Sequence, residues 1–209
     1  MKLKLFLFAP FALLMLTTNT LAESIQNEDK INQCNQLIKD DKSEEALRLA
    51  LRLISQEKSN REAMLCEARA QSAMGQYRDS ISTLNSALSL AKQPLDRMVT
   101  LTMLGNSYKN LEMYPEAKTQ YESILSLAQT HKNTGFQRIA LSLMGSIDYL
   151  KNEYDSALKS YLASLKYAAN DNERADIYSR ISEIYKSTKN LDSSIEYQIK
   201  ALIATAHYG

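Results

Sequence analysis

Residues Leu101 to Leu127 read LTMLGNSYKNLEMYPEAKTQYESILSL. Two helical faces are written into this stretch. Leu101, Leu104, Gly105 and Tyr108 follow the spacing that gathers side chains on one side of a helix. Tyr114 and Pro115 restart the chain, and Ala117, Tyr121, Ile124 and Leu125 line one face of a second helix. Gly105 and Ala117 fall where two antiparallel helices would touch most closely, and a larger side chain at either would push them apart.

The pattern recurs along the chain. We number a repeat so that Gly105 is position 8 and Ala117 is position 20. Position 20 then reads Ala46, Ser80, Ala117, Ala157 and Ser194, at steps of 34, 37, 40 and 37 residues. Position 8 reads Cys34, Ala68, Gly105, Gly145 and Ser182, again all small. Position 17 reads Ser43, Tyr77, Tyr114, Tyr154 and Leu191, and position 24 reads Ala50, Leu84, Tyr121, Tyr161 and Gln198. Steps longer than 34 predict extended helix ends near Ala128–Lys132 and Tyr167–Ala169. Ser43, Asp155 and Asp192 are expected to start second helices, as caps and as acids at the positive end of the helix dipole. Ser59-Asn60, Gln93-Pro94, Asn133-Thr134-Gly135 and Asn170-Asp171-Asn172 mark the breaks between repeats. Eight tyrosines are predicted in the core: Tyr77, Tyr108, Tyr114, Tyr121, Tyr154, Tyr161, Tyr178 and Tyr185.

Leu101 to Gln129 resembles a tetratricopeptide repeat, whose signature runs Trp-x2-Leu-Gly-x2-Tyr, then Ala-x3-Phe, then Pro. Leu101 stands for the Trp, Tyr121 for the Phe and Gln129 for the Pro. The resemblance implies an all-α fold, a right-handed α-solenoid of about five helix-turn-helix repeats near 27–59, 61–94, 98–134, 138–171 and 175–209. It also implies that the first helices line a concave binding surface.

Residues 1–22 read as a signal peptide. Lys2 and Lys4 precede an apolar run from Leu5 to Leu16, and Thr20-Leu21-Ala22 offers small residues for cleavage. A run of about 12 residues is too short to cross roughly 30 Å of hydrocarbon as a helix. The expected location is therefore exported, in the periplasm or secreted. Cleavage removes two of the 25 basic residues and none of the 24 acids, leaving a formal charge of −1. That balance argues against nucleic acid and against a bilayer surface as partners.

Catalytic chemistry is missing from the sequence. His131 and His207 stand far apart without neighbouring Cys or Asp clusters, so no metal site and no cofactor is expected. No phosphate loop, nucleophile elbow or H-E-x-x-H motif is present, and Asp40-Asp41 and Glu44-Glu45 read as solvated charges. Cys34 and Cys66 lie on the first helices of successive repeats. An oxidising compartment would favour a bond between them, and position 8 of Cys34, which faces its own second helix, favours two buried thiols. The sequence leaves both states open.

The function expected is a non-enzymatic module that binds a protein or an extended peptide, an exported adaptor or scaffold. Alternatives are the extracytoplasmic sensory part of a larger signalling protein, of which this chain would be a fragment, and a periplasmic chaperone. Positions 5, 9 and 12 of the first helices should face the groove. They single out Arg69, Asn106, Lys109 and Tyr149 as contacts for an extended acidic segment. The family's carboxylate clamp carries over poorly: counted from the first repeat its positions hold Ile31, Asn35, Cys66, Val99 and Met103, and Asn35 alone matches. Ile195, Leu202 and Ile203 are expected beside a face with no following repeat, which predicts self-association there or a missing continuation.

Overall fold

The computed structural model describes residues 28–206, and these form ten helices and no strand. The predicted signal peptide and His207 lie outside the described residues. The chain divides into two compact units at Gly75 and Gln76. The first holds α1 (28–39), α2 (Ser43–Gln56) and α3 (Arg61–Ala73). The second holds α4 (Tyr77–Leu90), α5 (Pro94–Asn110), α6 (Tyr114–Thr130), α7 (Thr134–Leu150), α8 (Tyr154–Leu165), α9 (Asp171–Ser187) and α10 (Leu191–Ala206). Within the second unit each helix packs on the next, and α5 also touches α7. The fold is all-α and built of repeated helix pairs.

Short corners join the helices of a pair, and each turns through one left-handed residue: Asp41, Gly75, Glu112, Asn152 and Lys189, with φ between 59° and 75°. These are all position 15 of the repeat. The backbone closes each helix end in the same way. Met113 N–H bonds Tyr108 O at 3.0 Å, Glu153 N–H bonds Asp148 O at 2.8 Å and Asn190 N–H bonds Tyr185 O at 2.9 Å. This C-terminal capping bond satisfies carbonyls that would otherwise be orphaned. Side chains other than Gly bear a steric cost in this conformation, about 1–2 kcal/mol, which the five corners share unequally.

Asparagine supplies the side-chain caps. Asn60, Asn133, Asn170 and Asn190 accept from the N–H of Ala63, Phe136, Glu173 and Ser193 at 2.9–3.2 Å. The expected cap Ser43 is instead the first helical residue of α2, after Lys42, which makes no side-chain cap bond. Asp155 and Asp192 lie in the first turns of α8 and α10, where they act on the dipole alone. The predicted helix extension at Tyr167–Ala169 is also corrected, because α8 stops at Leu165 and those residues form the connection to α9. Glu173 shapes that connection: its Oε2 accepts from Ala169 N–H at 2.8 Å, reciprocating the Asn170 cap.

The small columns mark close crossings. In the last pair, Ser182 Oγ donates to Ser194 O at 2.8 Å and Ser194 Oγ to Ser182 O at 3.1 Å, joining positions 8 and 20 directly. In the pairs containing glycine the neighbour of position 8 is different. A Cβ on Gly105 would lie 2.9 Å from Cδ1 of Tyr121, and one on Gly145 would lie 3.2 Å from the Tyr161 ring and from Ser160 Cβ. The two rings at position 24 thus occupy the space each glycine leaves free. They alone among the eight expected core tyrosines are fully buried; Tyr77, Tyr108, Tyr114, Tyr154, Tyr178 and Tyr185 are half-buried at the helix edges. Around Tyr121 pack Met98, Leu101, Ile124, Ala128, Ala140 and Ile147, and around Tyr161 pack Ile177, Ile181 and Ile184. Each large side chain so buried contributes about 1.5–3 kcal/mol.

In the first unit Cys34 and Cys66 are bonded to each other, with their Cα atoms 6.4 Å apart. Both are buried with Ala46, Leu49, Ala50, Leu53, Ala63 and Ala70. Position 8 of Cys34 does meet its own second helix, since its sulfur lies 3.3 Å from Ala46 O, and it reaches α3 as well.

Two predictions follow from this packing. Reduction, or replacement of both cysteines by Ser, should destabilise the first unit by about 3 kcal/mol, because the bridge closes a loop of 32 residues. Thermal unfolding with and without reductant measures the loss, and thiol titration of the denatured, unreduced chain should find no reactive thiol. The glycines separate three costs. Gly105→Ala should lower stability by about 1–3 kcal/mol through displacement of Tyr121. Gly145→Ala should be near neutral, its tighter contact offset by helix propensity, about 1 kcal/mol. Gly75→Ala should cost about 1 kcal/mol from its positive φ alone, since nothing crowds a Cβ there. Denaturant titration of the three variants gives the order.

Candidate functional site

Three first helices of the second unit lie in a row. The α5 helix touches α7, and α7 is tied to α9 at both ends. Arg138 Nη2 donates to Glu173 Oε1 at 2.8 Å, and the Tyr149 hydroxyl lies 3.1 Å from Ser187 Oγ. This row carries three of the four residues chosen from the sequence. The fourth, Arg69, belongs to the first unit, where its Nη1 donates to Asn35 Oδ1 at 2.7 Å. That bond joins position 9 of two successive repeats and uses the same Asn35 that matched the clamp.

Asn106 and Lys109 stand one turn apart on α5, and both are half-buried. The two threaded tyrosines reach this face from behind. The Tyr121 hydroxyl donates to Asn106 Oδ1 at 2.9 Å, which fixes the amide and turns its N–H2 group away from that bond. The Tyr161 hydroxyl interacts electrostatically with Arg180 of α9. A buried phenol needs a polar partner, and burial pushes both phenol pKa values above the usual range. Arg180 also donates to Asp176, from Nε to Oδ2 at 3.0 Å and from Nη2 to Oδ1 at 3.3 Å. Burial opposes the arginine charge, but the bonds to Asp176 and the interaction with Tyr161 outweigh it and hold its pKa above the ordinary value.

Lys109 is in the opposite situation. Burial first, and then the charge of Arg180, hold its pKa below the ordinary lysine value. Arg180 therefore acts on Lys109 across α7, and α7 is low there. Its residues at positions 5, 8 and 9 are Ser142, Gly145 and Ser146, all small. The Ser142 hydroxyl is buried with no hydrogen-bond partner among the described residues, while Ser146 Oγ donates to Leu143 O at 2.7 Å.

Tyr149 closes one end of this arrangement. Its ring meets Tyr154 edge-on at 5.7 Å and it packs with the core around Tyr161. The structure therefore brings Asn106, Lys109 and Tyr149 to one row of helices, adds Arg180, and places Arg69 in the other unit. Arg180 sits at position 6 of the last repeat, outside positions 5, 9 and 12. The signal was present in the sequence: the only two repeats with Gly at position 8 have Tyr at position 24, so their hydroxyls must emerge on the first-helix face and find a polar partner there.

Other clefts are open and mixed in character. Two of about 510 and 500 Å³ lie in the first unit, around Arg48 and Glu45, and involve none of the chosen residues. Among the described residues no group of three or more His, Cys, Asp or Glu side chains is placed to hold a metal. No described helix is long and apolar enough to cross a membrane.

With this geometry in hand, the chain can be set beside known proteins. The tetratricopeptide repeat family model matches residues 100–131 and 175–202. Over these two stretches the chain matches the tetratricopeptide repeat. The first matched repeat contains Asn106, Lys109 and the Gly105–Tyr121 contact, and the second contains Arg180 and most of α10. Solved structures of the same fold include the nearly identical TPR-like repeats of a Podosopora anserina kinesin light chain, with a TM-score of 0.72, 11% identity, and coverage of 88% of this chain and 96% of that one. MamA from Desulfovibrio magneticus RS-1 is similar at a TM-score of 0.65 and 13% identity, over 86% of this chain and 95% of that chain. The Cut9–Hcn1 hetero-tetramer of the APC/C is similar at a TM-score of 0.67 and 17% identity, over 85% of this chain and 33% of that chain. At such identities the likeness is one of fold. No curated protein matches the chain in sequence.

Lys109 supports a prediction with a definite sign. Its lowered pKa belongs to the folded state, so the folded chain releases this proton before the unfolded chain does. Holding Lys109 charged costs stability at neutral pH, and the cost fades as pH rises from the lowered value toward 10.5. Lys109→Met should therefore raise the melting temperature at pH 7, and its advantage over the wild type should shrink as the pH nears 10.5. Thermal melts of both chains across that range test it.

Proposed function

We propose that this protein is a non-enzymatic binding module that holds an acidic, extended segment of a protein partner against α5, α7 and α9. One observation carries the reading: α5, α7 and α9 lie in a row, and Lys109, half-buried on α5, feels the charge of Arg180 on α9. A carboxylate lying between them would relieve a repulsion that the free chain sustains. Charge-assisted bonds of this kind are roughly twice as strong as neutral ones. Asn106 offers its amide N–H2 to a peptide carbonyl, and Tyr149 gives the segment an aromatic edge. The tetratricopeptide repeats support a role in protein binding, and one structure of this fold is itself part of a hetero-tetramer.

The module acts outside the cytoplasm in this proposal, as a periplasmic or secreted adaptor. Lys2, Lys4 and the apolar run that follows support export. So does the joined Cys34–Cys66 pair, which suits an oxidising compartment.

Affinity capture from the cell envelope, with wild-type protein and with the Lys109→Glu variant as bait, tests the reading. The wild type should retain one acidic partner. The variant should bind it ~10–100-fold more weakly, the loss expected for charged hydrogen bonds, with unchanged helix content. A variant that binds with wild-type affinity at low salt would rule out this face. Partner recovered from the cytoplasm alone, with the leader uncleaved, would rule out export.

A further inference from the structure

The outer side of α10 carries five exposed aliphatic side chains. Leu191, Ile195, Ile199, Leu202 and Ile203 are 63%, 54%, 50%, 67% and 53% exposed. At 3.6 residues per turn they fall within a sector of about 120°. The opposite side holds Ser194, Tyr197, Ala201 and Ala204. Tyr197 stacks on Tyr185 at 5.6 Å and lies 6.0 Å from Tyr178, so that side is committed to α9. Elsewhere the exposed large aliphatics are scattered singly: Leu51, Leu95, Leu150 and Leu162. Five on one helix form a patch of roughly 500 Å², toward the upper end of about 300–600 Å² for the largest patch on a monomer.

We propose that α10 is a dimerisation surface whose occupant is α10 of a second copy, packed antiparallel about a two-fold axis. The spacing of the aliphatics is self-complementary. An axis crossing the helix at the level of Tyr197, on its outer side, sets Leu191 against Ile203 of the other copy and Ile195 against Ile199, twice each. Antiparallel packing also opposes the two helix dipoles favourably. Two copies bury roughly 1,000 Å² through these side chains alone, close to the ~1,200 Å² at which specific interfaces begin, before flanking residues are counted. Charged residues keep to the margins: Asp192 enters the sector only in the first turn, where it meets Leu202 of the other copy at the end of the seam, and Lys200 bonds Glu196 at 2.5 Å and lies 4.3 Å from the Tyr197 ring centre. A polar rim about an apolar centre is the usual anatomy of an interface. The surface is separate from the row of α5, α7 and α9, so a dimer would present two binding faces and gain avidity toward a repeated partner.

Sedimentation velocity of the chain as recovered after expression, its N-terminus fixed by mass, tests the proposal over a wide concentration range. The wild type should form a dimer. Ile195→Glu/Ile199→Glu should be monomeric or dimerise ~100-fold more weakly, as for central apolar anchors. Both positions are exposed, so circular dichroism should show unchanged helix content and melting. A wild type that stays monomeric at high micromolar concentration overturns the proposal. So does a dimer that persists in the double variant. So does self-association that disappears when residues 1–22 are removed, for the leader would then be the occupant.

Discussion

The contact between a glycine of one helix and a tyrosine of the next governs the second unit. Gly105 and Gly145 each weaken a helix by about 1 kcal/mol relative to Ala. In return each leaves room for a phenol ring to pack against the helix and be buried. The ring does what two small residues do in the other pairs, and it also reaches further. Its hydroxyl passes through to the far side of the first helix, where burial would be costly without a partner. Asn106 is that partner for Tyr121, and Tyr161 feels the charge of Arg180.

This arrangement couples core to surface. A groove residue on a helical repeat is ordinarily free to change its rotamer in water. Asn106 is held from beneath by a group whose position is set by core packing. Arg180 is held from the side, by Asp176. Lys109 is left to face Arg180, and the pair keeps a charge repulsion that a solvated surface would screen.

The ties between repeats are polar and sit at the helix ends. Arg138–Glu173 and Tyr149–Ser187 join α7 to α9, and Lys118 Nζ meets the buried Asp148 at 3.1 Å between α6 and α7. Each fixes the rotation of one helix against the next, which aliphatic contacts alone leave less sharply defined. Glu173 serves two ends at once, bonding Arg138 with one oxygen and the Ala169 N–H with the other.

The fold class was legible in the sequence because it depends on residue size at fixed spacing. Small residues at positions 8 and 20, and apolar residues between them, specify paired helices whatever their neighbours do. The apolar strip of α10 was partly legible for the same reason: Ile195, Leu202 and Ile203 followed from periodicity, while Leu191 and Ile199 were recognised once the side facing α9 was known. The caps and the burial of the tyrosines were less legible. Helix ends shift by a residue with local hydrogen bonding, as at Ser43, and a half-buried tyrosine at a helix edge carries the same letter as a buried one. The grouping around Lys109 was decided by tertiary structure. Lys109 and Arg180 are separated by two helix pairs in the chain, and their encounter depends on how low α7 lies between them and on a hydroxyl arriving from α8. Spacing within one helix determines which side a residue takes. The distance between charges on different helices is set by every side chain packed between them.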